Sequence, residues 1–157
     1  MFRRFIVVLM IFLVLSVIIP GIAEAKNNRI NFMVGNPGYE FLTPEGKNVI
    51  QRMDVAPFIE NGRTYIPVRY LAYAMGVNEK DVIWDEATQT VTLSMEGTTV
   101  KLQVGNKVIY VNGQPREMDV VPLIRNERVF LPARFVAEAF GYNVGWRPYV
   151  QMVIISY

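Results

Sequence analysis

The stretch RTYIPVRYLAYAMG, residues 63–76, occurs a second time, with changes, as RVFLPARFVAEAFG at residues 128–141. The same offset of 65 positions aligns residues 53–76 with residues 118–141, and twelve of these twenty-four positions are identical. Farther along the chain, an offset of 62 aligns Trp84 with Trp146. Similarity at a fixed spacing over so long a segment predicts two copies of one structural unit of about 60 residues.

Each copy of this stretch has the pattern of a short helix. A proline, Pro67 or Pro132, stands at the predicted first helical position, where its missing N–H would have no helical partner in any case. A glycine, Gly76 or Gly141, stands at the predicted end, where a residue that tolerates positive φ is favoured. The residues between them are apolar on nearly every side, which is typical of a buried helix.

Segments with alternating or continuous apolar residues flank each predicted helix and indicate strands. They include residues 30–34, 64–66 and 90–95 in the first copy and residues 100–104, 108–111 and 152–155 in the second. A helix that is apolar on all sides has to be covered by other elements, and the other predicted elements are all strands. We therefore predict an α+β fold of two repeats, each a curved antiparallel β-sheet wrapped around one short buried α-helix, in the approximate order βββ-α-ββ.

The first 25 residues have the features of a secretory signal peptide. Two arginines near the start precede an apolar run at residues 5–19, which is shorter than the roughly 20 residues that span a bilayer. The small residues of AEA at 23–25 then fit a cleavage site before Lys26. The predicted domains are a signal peptide at 1–25, a first repeat at 26–98 and a second repeat at 99–157, with a core each or one shared core.

The composition excludes several classes of function. The chain has 16 basic and 14 acidic residues, and removal of two arginines and one glutamate with the signal peptide leaves 14 and 13. Without a basic run, a nucleic-acid surface is not expected. The absence of His and Cys removes the usual copper and zinc ligands, a His base and a thiolate nucleophile. We predict no nucleic-acid partner, no metal, no cofactor and no catalytic residue.

Twelve residues shared by the two copies form a predicted structural signature. They are Asp54, Arg63, Pro67, Arg69, Gly76, Trp84, Asp119, Arg128, Pro132, Arg134, Gly141 and Trp146. In each copy we expect the aspartate to accept hydrogen bonds from arginines of the same copy or from nearby backbone N–H groups, and so to hold a strand against the helix, because a buried charge must be paired. The alternative is a site for an anionic or hydroxyl-rich ligand. We interpret the tryptophans as core aromatics, with sugar-stacking platforms as the alternative.

The segment MDVAPFIENGRTYIPVRYLAYAMGVNEKDVIWDEATQTVTL, residues 53–93, resembles the repeat of the bacterial copper amine oxidase N-terminal-like domain, also called a stalk domain. Residues 118–155 follow the same pattern. Two positions depart from it: Glu127 replaces the turn glycine, and Arg147 follows Trp146 where an aspartate is usual. The resemblance implies a secreted module, common in Gram-positive bacteria, that is separate from the copper-holding part of the namesake enzymes.

These patterns favour a secreted, non-catalytic module of the envelope or extracellular space. We expect it to bind a cell-wall polymer or another envelope protein, or to act as a structural stalk, with no membrane contact after signal cleavage. Two other functions stay open. One is a carbohydrate-active hydrolase that uses Asp and Glu, for which Asp85 and Glu86 are the best local pair. The other is a subunit that assembles by self-association.

Overall fold

The computed structural model describes residues 26–157, which form three antiparallel sheets and two short helices. The first half contains β1 (Arg29–Met33), β2 (Gly38–Leu42), β3 (Asn48–Arg52), β4 (Phe58–Glu60), β5 (Arg63–Pro67), α1 (Val68–Met75), β6 (Val82–Asp85) and β7 (Thr90–Met95). The second half contains β8 (Thr98–Gln103), β9 (Val108–Val111), β10 (Gln114–Glu117), β11 (Leu123–Arg125), β12 (Arg128–Pro132), α2 (Ala133–Ala139), β13 (Asn143–Arg147) and β14 (Met152–Ser156). The α+β class is confirmed, with five rather than three strands before each helix.

All three sheets combine strands from both halves. One five-stranded sheet has the order β13-β14-β1-β2-β3, and the other has the order β10-β9-β8-β7-β6. The third sheet has four strands in the order β11-β12-β5-β4, two from each half; we call it the middle sheet. The prediction that each repeat encloses its helix with its own sheet is therefore wrong, because the last strand of each half, β7 or β14, pairs with the first strand of the other half, β8 or β1.

The turn between the halves explains this exchange. Glu96 and Gly97 both have positive φ, 48° and 76°, and they connect a last ladder pair, Met95 with Thr98. A two-residue turn of this kind matches the right-handed twist of the strands and forces the strands on either side to pair with each other. β7 is thus committed to β8, so β1 is free to pair with β14, as Ile30 opposite Ile155 shows.

Both helices begin and end close to the predicted residues. Pro67 keeps an extended backbone, with φ −59° and ψ 134°, so the first helical residue is Val68, one position later than predicted. Gly76 has φ 102°, and its N–H donates to the carbonyl oxygen of Tyr73 at 3.0 Å. Gly141 has φ 83° and follows Phe140, the C-cap residue of the second helix. Both glycines take the left-handed conformation that ends a helix without a Cβ clash.

One continuous apolar core runs through both halves. It includes Leu71 and Met75 of α1 together with Val136 of α2, and each of these side chains has no exposed surface. The hydroxyl of Tyr142 donates to the carbonyl oxygen of Met75 at 2.6 Å, and burial raises the pKa of this phenol. The two helices are therefore buried, as their apolar sequences predict, but in a single shared core.

The signal-peptide prediction falls on residues 1–25, outside the described part of the chain, and stays a prediction. Within residues 26–157, neither helix has the length and apolar character needed to cross a lipid bilayer.

Candidate functional site

The repeated aspartates and arginines form ion pairs between the halves, not within them. Arg63 of the first half donates two hydrogen bonds to the carboxylate of Asp119 in the second half. Arg128 of the second half reaches back to Asp54 in the first half, with its Nε and one terminal nitrogen both 2.8 Å from Oδ2. The predicted pairing inside each repeat is wrong because β5 and β12 are neighbours in one sheet, so each arginine lies beside the other half's loop.

These two pairs, the crossed ion pairs, lie at the surface. About 42% of the Asp54 side chain and 47% of the Arg128 side chain are exposed. The hydrogen bond from Arg128 lowers the pKa of Asp54 below its ordinary value, so this carboxylate stays ionised at lower pH than a free aspartate. Exposed pairs contribute little to stability individually. Their geometric effect is to fix the two halves of the middle sheet relative to each other.

The second pair of repeated arginines lies on the exposed sides of the helices. Arg69 of α1 has no hydrogen bond or ion pair with any part of the described chain. Arg134 of α2 makes one loose contact, 3.9 Å, with Glu138 one turn later, and about half of its side chain is exposed. Neither arginine reaches an aspartate, contrary to the sequence interpretation, because the aspartates are occupied by the arginines of the opposite hairpins.

The two tryptophans are half-exposed, and their interpretation as core residues is wrong. Trp84 is 39% exposed and Trp146 is 40% exposed. Each lies on the outermost strand of a five-stranded sheet, β6 or β13, with a neighbouring strand on one side only. An indole on such an edge is covered by the sheet on one side and stays open to solvent on the other.

Trp146 forms one wall of a cleft of about 330 Å³ between the two halves. We call it the Trp146 cleft, and it is lined by Ile59, Gly62, Arg63, Thr64, Pro132, Ala133, Arg134, Val144, Gly145, Trp146 and Val153. The first four residues belong to the β4–β5 hairpin of the first half, and the others belong to α2 and its flanking strands in the second half. The cleft therefore exists only when the halves are correctly assembled.

The lining of the Trp146 cleft is aromatic and aliphatic with two cationic groups. Among residues 26–157, the only charged side chains that line it are those of Arg63 and Arg134, and no carboxylate does. The acidic partners of these arginines, Asp119 and Glu138, lie outside the lining. Such a surface suits a ligand that offers an apolar face, polar groups at its edge and no excess positive charge.

The matching region around Trp84 has a different lining. At the place of Gly62 in the β4–β5 turn, the β11–β12 turn has Glu127, which takes the same left-handed conformation with φ 59°. At the place of Gly145, beside the tryptophan, β6 has Ile83. The Trp84 region thus has a carboxylate where the Trp146 cleft has Gly62 and a branched side chain where it has Gly145. The two tryptophan regions are similar in backbone and unequal in chemistry.

A family model for the copper amine oxidase N-terminal domain matches residues 44–155, most of the chain. The chain belongs to this family. Copper amine oxidase N-terminal domains are non-catalytic, stalk-like modules. The match passes through both halves and includes every residue of the Trp146 cleft.

In this copper amine oxidase N-terminal domain, Asp85, one of the two carboxylates considered for hydrolysis, has a structural position. The carboxylate of Asp85 accepts hydrogen bonds from the Thr88 hydroxyl at 2.7 Å and from the Ala87 N–H at 3.1 Å. These bonds close the β6–β7 turn, and the Thr88 bond lowers the pKa of Asp85. A carboxylate held ionised in this way is a poor proton donor for glycoside cleavage.

Two other surface depressions lie on the outer faces of the five-stranded sheets. One, of about 390 Å³, surrounds Tyr110 and Lys101, and the other, of about 290 Å³, surrounds Asn31 and Ile50. Both open onto a single sheet, whereas the Trp146 cleft has walls from several elements of both halves. Among residues 26–157 there is no group of three or more acidic side chains placed to hold a metal ion.

The sequence contained part of this site. The repeated tryptophan motif makes Trp146 a candidate for sugar stacking, and the alignment of the two copies shows the arginines as a repeated set. The apolar wall of the cleft, formed by Ile59 and Val144, carried no signal because each residue fits an ordinary strand pattern. Gly145 is the available signal, because a glycine beside a tryptophan in one copy, where the other copy has Ile83, indicates a local difference in side-chain volume.

Proposed function

We propose that this domain is a secreted, non-catalytic module of the cell envelope that binds a cell-wall polymer through the Trp146 cleft. Membership of a family of non-catalytic, stalk-like modules supports the first part of the proposal. The predicted signal peptide supports the location. The observation that carries the binding proposal is the cleft itself, with an exposed indole on one wall and aliphatic and guanidinium groups on the others.

An exposed indole beside polar donors suits saccharides. One face of a pyranose ring presents C–H groups, which pack against an aromatic ring, while the hydroxyls at the ring's edge need hydrogen-bond partners. In the Trp146 cleft, Trp146 offers the ring face, and Thr64 and Arg134 offer polar groups. A volume of about 330 Å³ lies at the lower end of the usual range of small-molecule sites and is enough for one or two sugar rings.

The alternative of an Asp- or Glu-dependent hydrolase has less support. Glycoside hydrolysis normally needs two carboxyl groups on opposite sides of the bond that is cleaved. Among the described residues, no carboxylate lines the Trp146 cleft. The Asp85 carboxylate accepts a hydrogen bond from Thr88 within the β6–β7 turn. We therefore propose binding without turnover.

Binding is tested by co-sedimentation of the purified protein with insoluble cell walls. The expected result is saturable retention in the wall pellet, with no release of soluble sugar fragments over hours of incubation. Absence of retention would contradict the proposal and leave a protein partner or a stalk role as the function. Release of fragments would contradict the non-catalytic part. A molar mass that rises with protein concentration in light scattering, without wall binding, would instead favour self-association.

A further inference from the structure

The charges of the Trp146 cleft restrict the class of ligand further. Among the described residues, both charged side chains in the lining are arginines, and their acidic partners, Asp119 and Glu138, are not part of the lining. A neutral polymer would gain no electrostatic attraction from these positive charges. The two guanidinium groups differ in how available they are to a ligand.

Arg63 is already engaged on three sides. Its Nε and one terminal nitrogen donate to the carboxylate of Asp119, and its other terminal nitrogen donates to the carbonyl oxygen of Gly62 at 3.1 Å. A guanidinium with paired donors and a neutralised charge is held in place as part of the wall. Arg63 therefore shapes the cleft but has little capacity left for an anion.

Arg134 is the available group. Its one polar contact within the described chain is the 3.9 Å approach to Glu138, which is too long for a hydrogen bond, and about half of its side chain is exposed. Its guanidinium keeps its planar set of N–H donors, whose geometry matches a carboxylate with two parallel hydrogen bonds. Arg134 lines the cleft together with Trp146.

We propose that the Trp146 cleft takes acidic saccharide units, with the sugar ring against the indole of Trp146 and a sugar carboxylate at the guanidinium of Arg134. This inference rests on the proposed wall-binding function and specifies its ligand. Charge complementarity supports it, because the described residues of the lining include the loosely paired guanidinium of Arg134 and no carboxylate.

The Trp84 region supplies a natural comparison. Glu127 there stands at the turn position of Gly62, so this region has a carboxylate at a position where the Trp146 cleft has none. Like charges disfavour an acidic ligand. We infer that the domain has one acidic-sugar site, not two, although its sequence carries two copies of the motif.

Two glycans that differ in one chemical group provide the test. Peptide-free wall glycan strands alternate N-acetylglucosamine with N-acetylmuramic acid, which has a free lactyl carboxylate, whereas N-acetylglucosamine oligosaccharides of the same length have no charge. Their affinities for the purified protein are measured by calorimetry at low salt and again at high salt. We expect the acidic strands to bind at least about tenfold more tightly, the scale of one charge-assisted hydrogen-bonded pair, and to lose this advantage as salt is added.

The variants are Arg134→Gln and its matched control Arg69→Gln, both at exposed helix positions. Arg134→Gln is expected to remove the preference for the acidic strands, and Arg69→Gln to retain it, with the melting temperature of both near that of the unmodified protein. A preference that survives Arg134→Gln, or equal affinity for both glycans, would overturn the inference. If neither glycan binds while whole walls still retain the protein, the inference fails and the proposed function stands; if walls also fail to retain it, both fail.

Discussion

The two halves of the chain, produced separately as residues 26–98 and 99–157, are expected not to fold as monomers. In residues 26–98, β1 would lose its partner β14, and β7 would lose its partner β8. The apolar faces of these strands would be exposed, since Ile30, Phe32 and Leu93 are fully buried in the intact protein. A domain of this kind gains stability from one continuous core, and neither half can close one alone.

Circular dichroism and light scattering on each half, and on an equimolar mixture, measure this directly. We expect the halves alone to be unfolded or to associate, and the mixture to recover the spectrum and the cooperative thermal transition of the intact chain. A folded, monomeric half with its own cooperative transition would contradict the exchange of strands. The intact protein is the control, and it should unfold in one transition because its core is shared.

Replacement of Trp146 by alanine is expected to cause the largest loss of binding among single substitutions. The indole is the principal apolar surface that the cleft offers, and tryptophan anchors of this kind commonly account for 2 kcal/mol or more, which corresponds to about 30-fold in affinity. Removing it also opens one wall of the cleft. We expect wall retention of Trp146→Ala to fall at least about tenfold in a saturation assay.

Trp84→Ala is the matched control because the two indoles have nearly the same exposure, 39% and 40%, on equivalent edge strands. Both substitutions should lower stability by similar amounts, so a difference in wall retention reports on the cleft and not on folding. Equal retention of the two variants would show that the Trp146 cleft is not the binding site.

The local features of the fold were predictable from the sequence because neighbouring residues determine them. Pro67 and Gly76 limit α1, and the apolar residues between them require burial, as found. Asn126 and Glu127 form the turn between β11 and β12, and both have positive φ. This turn therefore forms without the glycine that stands at the matching position of the first copy.

The partners of the strands were not predictable in the same way. Two copies of one sequence offer each strand two nearly equivalent neighbours, its own copy's and the other's, and the apolar pattern of β1 fits either. The choice is made by the two-residue turn at Glu96 and Gly97, which commits β7 to β8. Once those strands pair, the crossed ion pairs and the cleft between the halves follow. No local sequence pattern indicates either of them.

The exposure of the tryptophans was missed for a related reason. Val82 and Val144 beside them predict strands with one buried face, and Trp146 does share the inner side of its strand with Val144, opposite Val153. Sequence patterns show which face of a strand is apolar but not whether the strand lies at the edge of its sheet. Only the strand order shows that β6 and β13 are outermost.

The ligand is expected to bind at only one of the two similar tryptophan positions. The protein has two tryptophans, so a nitrogen–proton correlation spectrum should contain two indole signals, which Trp84→Ala assigns. Titration with peptide-free wall glycan strands is expected to shift the Trp146 indole signal in a saturable way and to leave the Trp84 signal in place. Equal movement of both signals, or movement of the Trp84 signal alone, would contradict this account.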